Sequence, residues 1–454
     1  MKKLKTIGLV ALGCAKNSVD LQVMAGHLIK KGFTLAPDPD SADVILVNTC
    51  AFIESAREEA VSEILRACEL KQAGMCRAVL VAGCFAQRYG AQLADKFPEV
   101  DAFLGIDALD KIDVVLARVA NGKIRSAAAK IVVPAGQPHK VFNPPEPALR
   151  LTGLAFAYLK IAEGCAHRCS YCAIPAIRGD YRSRPAKDIL AEAQALIATG
   201  VKELNIIAQD PMLYGVDFKV KRGARRYGLV ELLNDLDRLA GEFKVRVLYS
   251  YPSEITDAFL DWMATSPRAI KYVDVPLQHT SPTILRAMAR GSAVTATLQA
   301  AERIRAAVPG VTLRTTVMTG FPGESEQDFK RLVADVKRMK FDHLGAFAFS
   351  PEDGTVAAEL EGQVTHGTAE RRRQEVMRAQ KSIWNVKAKA FVGKTFSALV
   401  VAPGVARMES QAPEVDGVTY LKAARGKALP EVGEIVRVKI KSVKGYDFEG
   451  VVVK

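Results

Sequence analysis

Apolar and polar positions follow three different rhythms along this chain. From residue 1 to about 135, apolar runs of strand length are followed by segments with helical spacing. Thr6 to Leu12 is the first run. Ser18 to Lys31 follows it as a helix, with Val19, Val23, Leu28 and Ile29 on one face and Gly32 as its stop. Val44 to Val47 predicts a second strand, Ser55 to Cys68 a second helix, and Ala78 to Ala82 a third strand. Strands and helices alternating in this way form a parallel sheet, whose ligand crevice lies beyond the carboxyl ends of the strands.

Residues 136–150 carry Pro138, Pro144, Pro145 and Pro147, just after Pro134, and show no helical period. That composition predicts a stiff linker. Residues 151–388 then return to alternation. Strands are expected at Phe156 to Ala162, Glu203 to Ala208, Arg246 to Ser250, Tyr272 to Val275, Thr312 to Met318 and His343 to Phe349, with helices at Pro185 to Thr199 and near Leu229 to Ala240. Six such repeats predict a partial (β/α)6 barrel, related to the complete eight-fold one. Its chemistry belongs in the loops after the strands: Gln209-Asp210, Tyr251-Pro252-Ser253, Pro276-Leu277-Gln278-His279, and Thr319-Gly320-Phe321-Pro322-Gly323-Glu324.

The rhythm changes once more in residues 389–454. Short β-rich runs occur at Thr395 to Val401, Val418 to Leu421, Ile435 to Val443 and Phe448 to Val453. Val436, Val438 and Ile440 alternate with Arg437, Lys439 and Lys441, giving a strand with one wet, basic face. A small closed β-barrel of the oligonucleotide-binding type is expected. It serves either to dock a substrate or as a structural lid.

A chain of 454 residues accommodates these three units. The net charge of +13 fits an acidic partner, of which nucleic acid is the usual one. The excess is diffuse, however. The runs from Lys219 to Arg226 and Arg371-Arg372-Arg373 are short and read as solvated faces. The apolar run Ile7 to Leu12 after Lys2, Lys3 and Lys5 is short for a signal core and leads directly into a helix, so a buried strand explains it better. No stretch approaches the ~20 apolar residues of a membrane span. A cytoplasmic location, away from any membrane, is expected.

All eight cysteines lie within the first 172 residues, a distribution that points to metal binding more than to a disulfide framework. Cys165, Cys169 and Cys172 are spaced C-x3-C-x2-C. Three thiolates at that spacing can hold three irons of a 4Fe-4S cubane and leave the fourth open, whereas most such clusters use four thiolates. An open iron is a place for chemistry. The alternative is a zinc site with His167 as the fourth ligand. Cys14, Cys50 and Cys84 each fall just past an expected strand of the first unit. In a parallel sheet those positions converge on one edge, which suggests a second metal site. The alternative is three small thiols packed at strand ends. Cys68 and Cys76 lack this placement and read as ordinary thiols.

Nearly the whole chain resembles the radical S-adenosylmethionine (SAM) methylthiotransferases. That family combines an N-terminal three-cysteine domain, a central radical SAM barrel and a C-terminal TRAM β-barrel. Gly13-Cys14-Ala15-Lys16-Asn17, Asn48-Thr49-Cys50-Ala51-Phe52-Ile53-Glu54-Ser55-Ala56 and Pro276-Leu277-Gln278-His279 resemble its ribosomal-protein branch more than its tRNA branch. Ala15, Ala166 and Pro211 depart from the family pattern without removing a cysteine.

The resemblance implies two 4Fe-4S clusters, one on Cys165, Cys169 and Cys172 and one on Cys14, Cys50 and Cys84. It also implies SAM as cofactor and cosubstrate. One electron from the first cluster splits SAM, and the resulting radical takes hydrogen from an unactivated carbon. The second cluster presents sulfur, and a second SAM supplies the methyl group. In the ribosomal-protein branch the carbon is the β-carbon of an aspartate in small-subunit ribosomal protein S-twelve, free or on the assembled subunit. An electron donor such as flavodoxin or ferredoxin is implied as well. Candidate SAM contacts are Tyr171, Glu203, Gln278, Arg314, Gly320 and Glu324. The competing readings are the same chemistry on an adenosine of tRNA, and a non-catalytic iron-sulfur protein that binds RNA.

Overall fold

The computed structural model describes the chain apart from residues 1–3, 125, 135, 145–152, 154, 221–222, 224, 424–427 and 454. Part of the proline-rich segment and part of the Lys219–Arg226 run therefore lie outside the described residues.

The first unit is a parallel sheet of six strands ordered Thr34–Leu35, Thr6–Ala11, Val44–Thr49, Ala78–Gly83, Ala102–Leu104 and Ile131–Val132. Helices cover both faces, so Val44–Thr49 and Ala78–Gly83 are buried throughout, and their residues 44–47 and 78–82 read as apolar runs. Ile45, Val47, Val79 and Val81 pack on Ala60 and Ile64 of the helix Glu54–Gln72. Leu46 and Leu80 face the other way, onto Leu21, Met24 and Leu28 of the helix Ala15–Lys30. That helix starts three residues earlier than its apolar stripe suggests, immediately after Cys14. The outer strands were not expected, because two or three residues carry no period. In the described part of the linker, His139 and Lys140 donate backbone N–H groups to the Asp107 carboxylate, so this stretch is tied to the first unit.

The central unit has the six expected parallel strands in two hydrogen-bonded halves. Lys244–Val247, Glu203–Ile207 and Phe156–Lys160 form one, and Tyr272–Asp274, Thr312–Thr319 and His343–Ala348 the other. A parallel bridge between Val245 and Ala269 joins them. The open side meets the first unit, where Ala15 and Val19 pack on Phe156 and Tyr158. A clamp adds to this junction: Arg88 donates to the Glu352 carboxylate (2.9 Å) and to Asp353 O (2.7 Å), and Arg57 pairs with Glu352.

The third unit is a closed five-stranded barrel. Four strands match expectation. The fifth, Val405–Met408, is four residues long and follows a tight turn, which hid it. Val438 and Ile440 are fully buried, as their alternation requires. Trp384, from the long helix His366–Lys389, closes the barrel core. Arg372 corrects the expectation of a solvated arginine run. It falls on the inner stripe of that helix with Ala369, Val376 and Gln380, and its guanidinium pairs with the buried Glu324.

This barrel docks on the amino end of the central strands. Arg407 pairs with Glu203 (3.2 Å), which also pairs with Arg246 (3.0 Å). Tyr158 and Tyr272 donate hydroxyls to Glu414 and Asp416, each at 2.7 Å. Arg314 meets Asp416 at 2.7 Å. The loop between Met408 and Thr419 thus packs on the amino end of the central strands, a contact that a structural lid would make and that leaves a docking role open.

Candidate active site at the carboxyl ends of the strands

Strand register sets the first cysteine group. Asn48 pairs with Ala82 and Thr49 with Gly83, so Cys50 and Cys84 leave the sheet side by side. Ala11 pairs with Asn48, which carries the turn to Cys14 over the same edge. Gly83 has φ +94°, and a Cβ there would stand 2.5 Å from Asn48 Oδ1 and 2.7 Å from Thr49 O. Only glycine permits this turn directly before Cys84. Asn17 sits at the centre. Its Nδ2 donates to Thr49 O (2.8 Å), while its Oδ1 lies 3.6 Å from Cys14 Sγ and 3.9 Å from Cys84 Sγ.

The second group lies on the loop after Phe156–Lys160. Cys165 N donates to Gly179 O (3.2 Å) and Cys172 N to Cys169 O (3.0 Å), folding the loop back on itself. Ser170 anchors it through Ala287 O and Met288 O. Arg290 is buried, with Nη1 3.9 Å from Cys169 Sγ. Its guanidinium stacks on Tyr251 (4.0 Å), whose other face stacks on His167 (3.8 Å). His167 Nε2 is also 2.7 Å from the Asp210 carboxylate. The histidine is thus committed to a carboxylate and a ring, which counts against a zinc ligand.

A buried charge network joins the two groups. Arg178 Nη2 approaches Cys84 Sγ (3.3 Å) and donates to Asn17 Oδ1 (3.0 Å) and Asp20 (2.9 Å). Its Nη1 donates to Glu163 (2.9 Å), two residues before Cys165. Lys160 bridges Asp20 (2.6 Å) and Glu163 (2.8 Å). Two carboxylates and two cations balance, as buried charges require. Burial pushes the Glu163 carboxyl up, but Arg178 and Lys160 outweigh it and hold it below the usual range.

The donor chemistry fits two clusters. Among the described residues no three His, Cys, Asp or Glu side chains gather closely enough for one shared metal ion. A cluster needs a wider set, since each thiolate meets its own iron. Burial pushes the Cys84 and Cys172 thiols up to about 12 and the Cys165 thiol to about 11. Cationic metal offsets that cost by displacing the protons. Each group also has a buried guanidinium beside a sulfur, Arg178 or Arg290. Cys68 and Cys76 are buried in the first unit's core instead.

The candidate SAM contacts separate. Tyr171, on the cysteine loop, and Gln278, after the strand Tyr272–Asp274, lie at the carboxyl end. Gln278 (φ +67°) and Tyr249 (φ +71°) are non-glycine residues in left-handed conformation, a strain typical of functional loops. Glu324 is buried and holds its loop together, taking bonds from Gly320 N and Arg372 and lying 3.2 Å from His279. A Cβ on Gly320 would meet Ala369 at 2.2 Å, so this glycine serves close packing. Glu203 begins its strand and Arg314 is third in an eight-residue strand; both are engaged by the C-terminal barrel and are not brought to the cysteines. Sequence reasoning missed Arg178, Arg290 and Lys16, and passed over the ring stack of Tyr251 and His167. A charged residue destined for burial carries no local signal.

Three family models match the chain: Uncharacterized protein family UPF0004 over residues 6–105, the Radical SAM superfamily over 159–336, and the TRAM domain over 392–453. Curated relatives named ribosomal protein uS12 methylthiotransferase RimO match almost end to end. The Syntrophus aciditrophicus protein is 42% identical over 97% of both chains, and the Moorella thermoacetica protein 42% identical over 98% of both. The Desulfitobacterium hafniense protein is 37% identical over 99% of both. Among solved structures, the radical SAM methyltransferase TsrM from Kitasatospora setae, with cobalamin and a 4Fe-4S cluster bound, superposes with a TM-score of 0.52. It is 16% identical and covers 76% of this chain and 72% of its own. That likeness shows the fold.

Proposed function

This chain belongs to the RimO family of ribosomal protein uS12 methylthiotransferases, and from that premise we propose how its own residues divide the work. It is a radical SAM enzyme that uses SAM and 4Fe-4S clusters to place a methylthio group on uS12. Cys165, Cys169 and Cys172 would hold the cluster that binds SAM, and Cys14, Cys50 and Cys84 the one that supplies sulfur. When bound, these groups supply the electron that cleaves SAM and the sulfur that is inserted. The modified residue is an aspartate, attacked at its β-carbon.

The observation that carries this division is the junction between the two cysteine groups. Arg178 touches Cys84 and Glu163 alike, so the two cysteine groups adjoin, and hydrogen abstraction and sulfur insertion would take place side by side. The Arg290–Tyr251–His167 stack and Tyr171 line the SAM side. Gln278, held in left-handed conformation, lies on a loop at the same end. Electrons come from a small flavin or iron-sulfur donor of the flavodoxin or ferredoxin kind.

The test is anaerobic incubation of the reconstituted enzyme with SAM, reductant, and either purified uS12 or tRNA. A methylthio mass gain on one aspartate of uS12, with tRNA unchanged, is the expected result. Modification of a tRNA adenosine with none on uS12 would overturn the substrate assignment.

A further inference from the structure

Lys16 is a buried cation that no carboxylate pairs with among the described residues. It is 8% exposed and stands two residues after Cys14, in the first turn of the helix Ala15–Lys30. Its Nζ lies 3.2 Å from the centroid of the Tyr249 ring. Among the described residues no carboxylate lies within ion-pair distance of it and no acceptor takes a hydrogen bond from it. The carboxylates of the same interior are engaged elsewhere. Asp20 meets Lys160 and Arg178, Glu163 meets the same two, and Asp274 faces Arg314.

A ring face attracts a cation but does not neutralise it. A buried ammonium left so is costly unless an anion arrives to share the site. The helix start adds to the attraction. Cys14 provides no side-chain cap, so the first-turn N–H groups present their partial positive charge beside the ammonium. Tyr249 holds the ammonium from its strained position after the strand Lys244–Val247. A carboxylate brought by a ligand would suit such a buried ammonium.

We propose that Lys16 receives the side-chain carboxylate of the residue being modified, and so makes the enzyme choose an acidic residue over its amide. The inference rests on the function proposed above. If sulfur comes from the Cys14, Cys50 and Cys84 side, the target side chain must reach Cys14, and the free cation is there. An ammonium–carboxylate contact of this kind holds the carboxylate and turns its β-carbon toward the chamber between the cysteine groups.

The experiment compares full-length reconstituted wild type, Lys16→Met and Lys16→Arg. For each, affinity is measured for purified uS12 and for uS12 with the target aspartate replaced by asparagine, together with SAM affinity and iron content. Wild type should prefer the aspartate form by roughly tenfold or more, the scale of a charge-assisted hydrogen bond. Lys16→Met should lose that preference by weakening only the aspartate form, with iron and SAM affinity unchanged. Lys16→Arg should keep the preference. The proposal is overturned if Lys16→Met retains the preference, weakens both forms alike, loses iron, or loses SAM affinity instead. That last result would mean the ammonium serves the SAM carboxylate. Wild type that neither binds nor modifies uS12 would instead sink the function reading itself.

Discussion

Single residues here divide by whether their chemistry can be read without the fold. The placement of the six cysteines is legible because thiol clusters and strand-end positions carry meaning in one dimension. Arg178, Arg290, Glu203 and Lys16 are not, because charged residues are mostly exposed and nothing local marks the exceptions. Glu203 shows the cost of that. Its position in a strand suggested a SAM contact, yet its partners are Arg246 and Arg407, the second of them 204 residues away. Burial pushes its carboxyl up, but the two guanidiniums outweigh that and hold it at about 2. A folded-state value below the unfolded one means the pair stabilises fully above the ordinary carboxylate range of about 4.3 and fades as pH falls toward 2. Glu203→Gln should therefore destabilise the protein at pH 7, by about 3–5 kcal/mol if the two buried arginines go unanswered. The gap from wild type should narrow in thermal melts as pH is lowered from 5 to about 3. A gap that stays constant over that range would contradict the charge argument.

Elements were more legible than residues. The long strands and their parallel order followed from apolar runs, and the three short strands of the first sheet and Val405–Met408 did not, for want of length. What pattern alone cannot supply is register, and register is what assembles the first cysteine group. The turn at Gly83 fixes it. Gly83→Ala forces a Cβ into backbone and side-chain oxygens at a positive φ, which should cost more than about 1 kcal/mol. The expected result is loss of iron from the Cys14, Cys50 and Cys84 site, with the iron on Cys165, Cys169 and Cys172 retained on reconstitution. Full iron content in this variant would show that the turn tolerates a side chain.

At the scale of the whole molecule the three units behave as one machine, not as beads on a linker. The first unit covers the open side of the central barrel and the third stoppers its amino end. The sequence could suggest each unit but not these contacts, since they join residues 264 and 102 positions apart: Arg88 with Glu352, Arg314 with Asp416. Removing residues beyond Phe391 should thus do more than weaken substrate docking. It leaves Glu203, Arg246 and Arg314 facing water, so the truncated protein should melt at lower temperature and lose SAM cleavage as well. Truncation that leaves SAM cleavage intact would return the barrel to a docking role.

The central claim is that two cysteine groups share one chamber and divide the reaction between them. Its most direct test replaces Cys14, Cys50 and Cys84 together and follows, in the same anaerobic reaction with uS12, iron content, 5′-deoxyadenosine and the mass of uS12. The account predicts about half the wild-type iron, since one of two four-iron clusters remains, with continued SAM cleavage and no methylthio gain. A methylthio gain by that variant, or loss of all its iron, would contradict it.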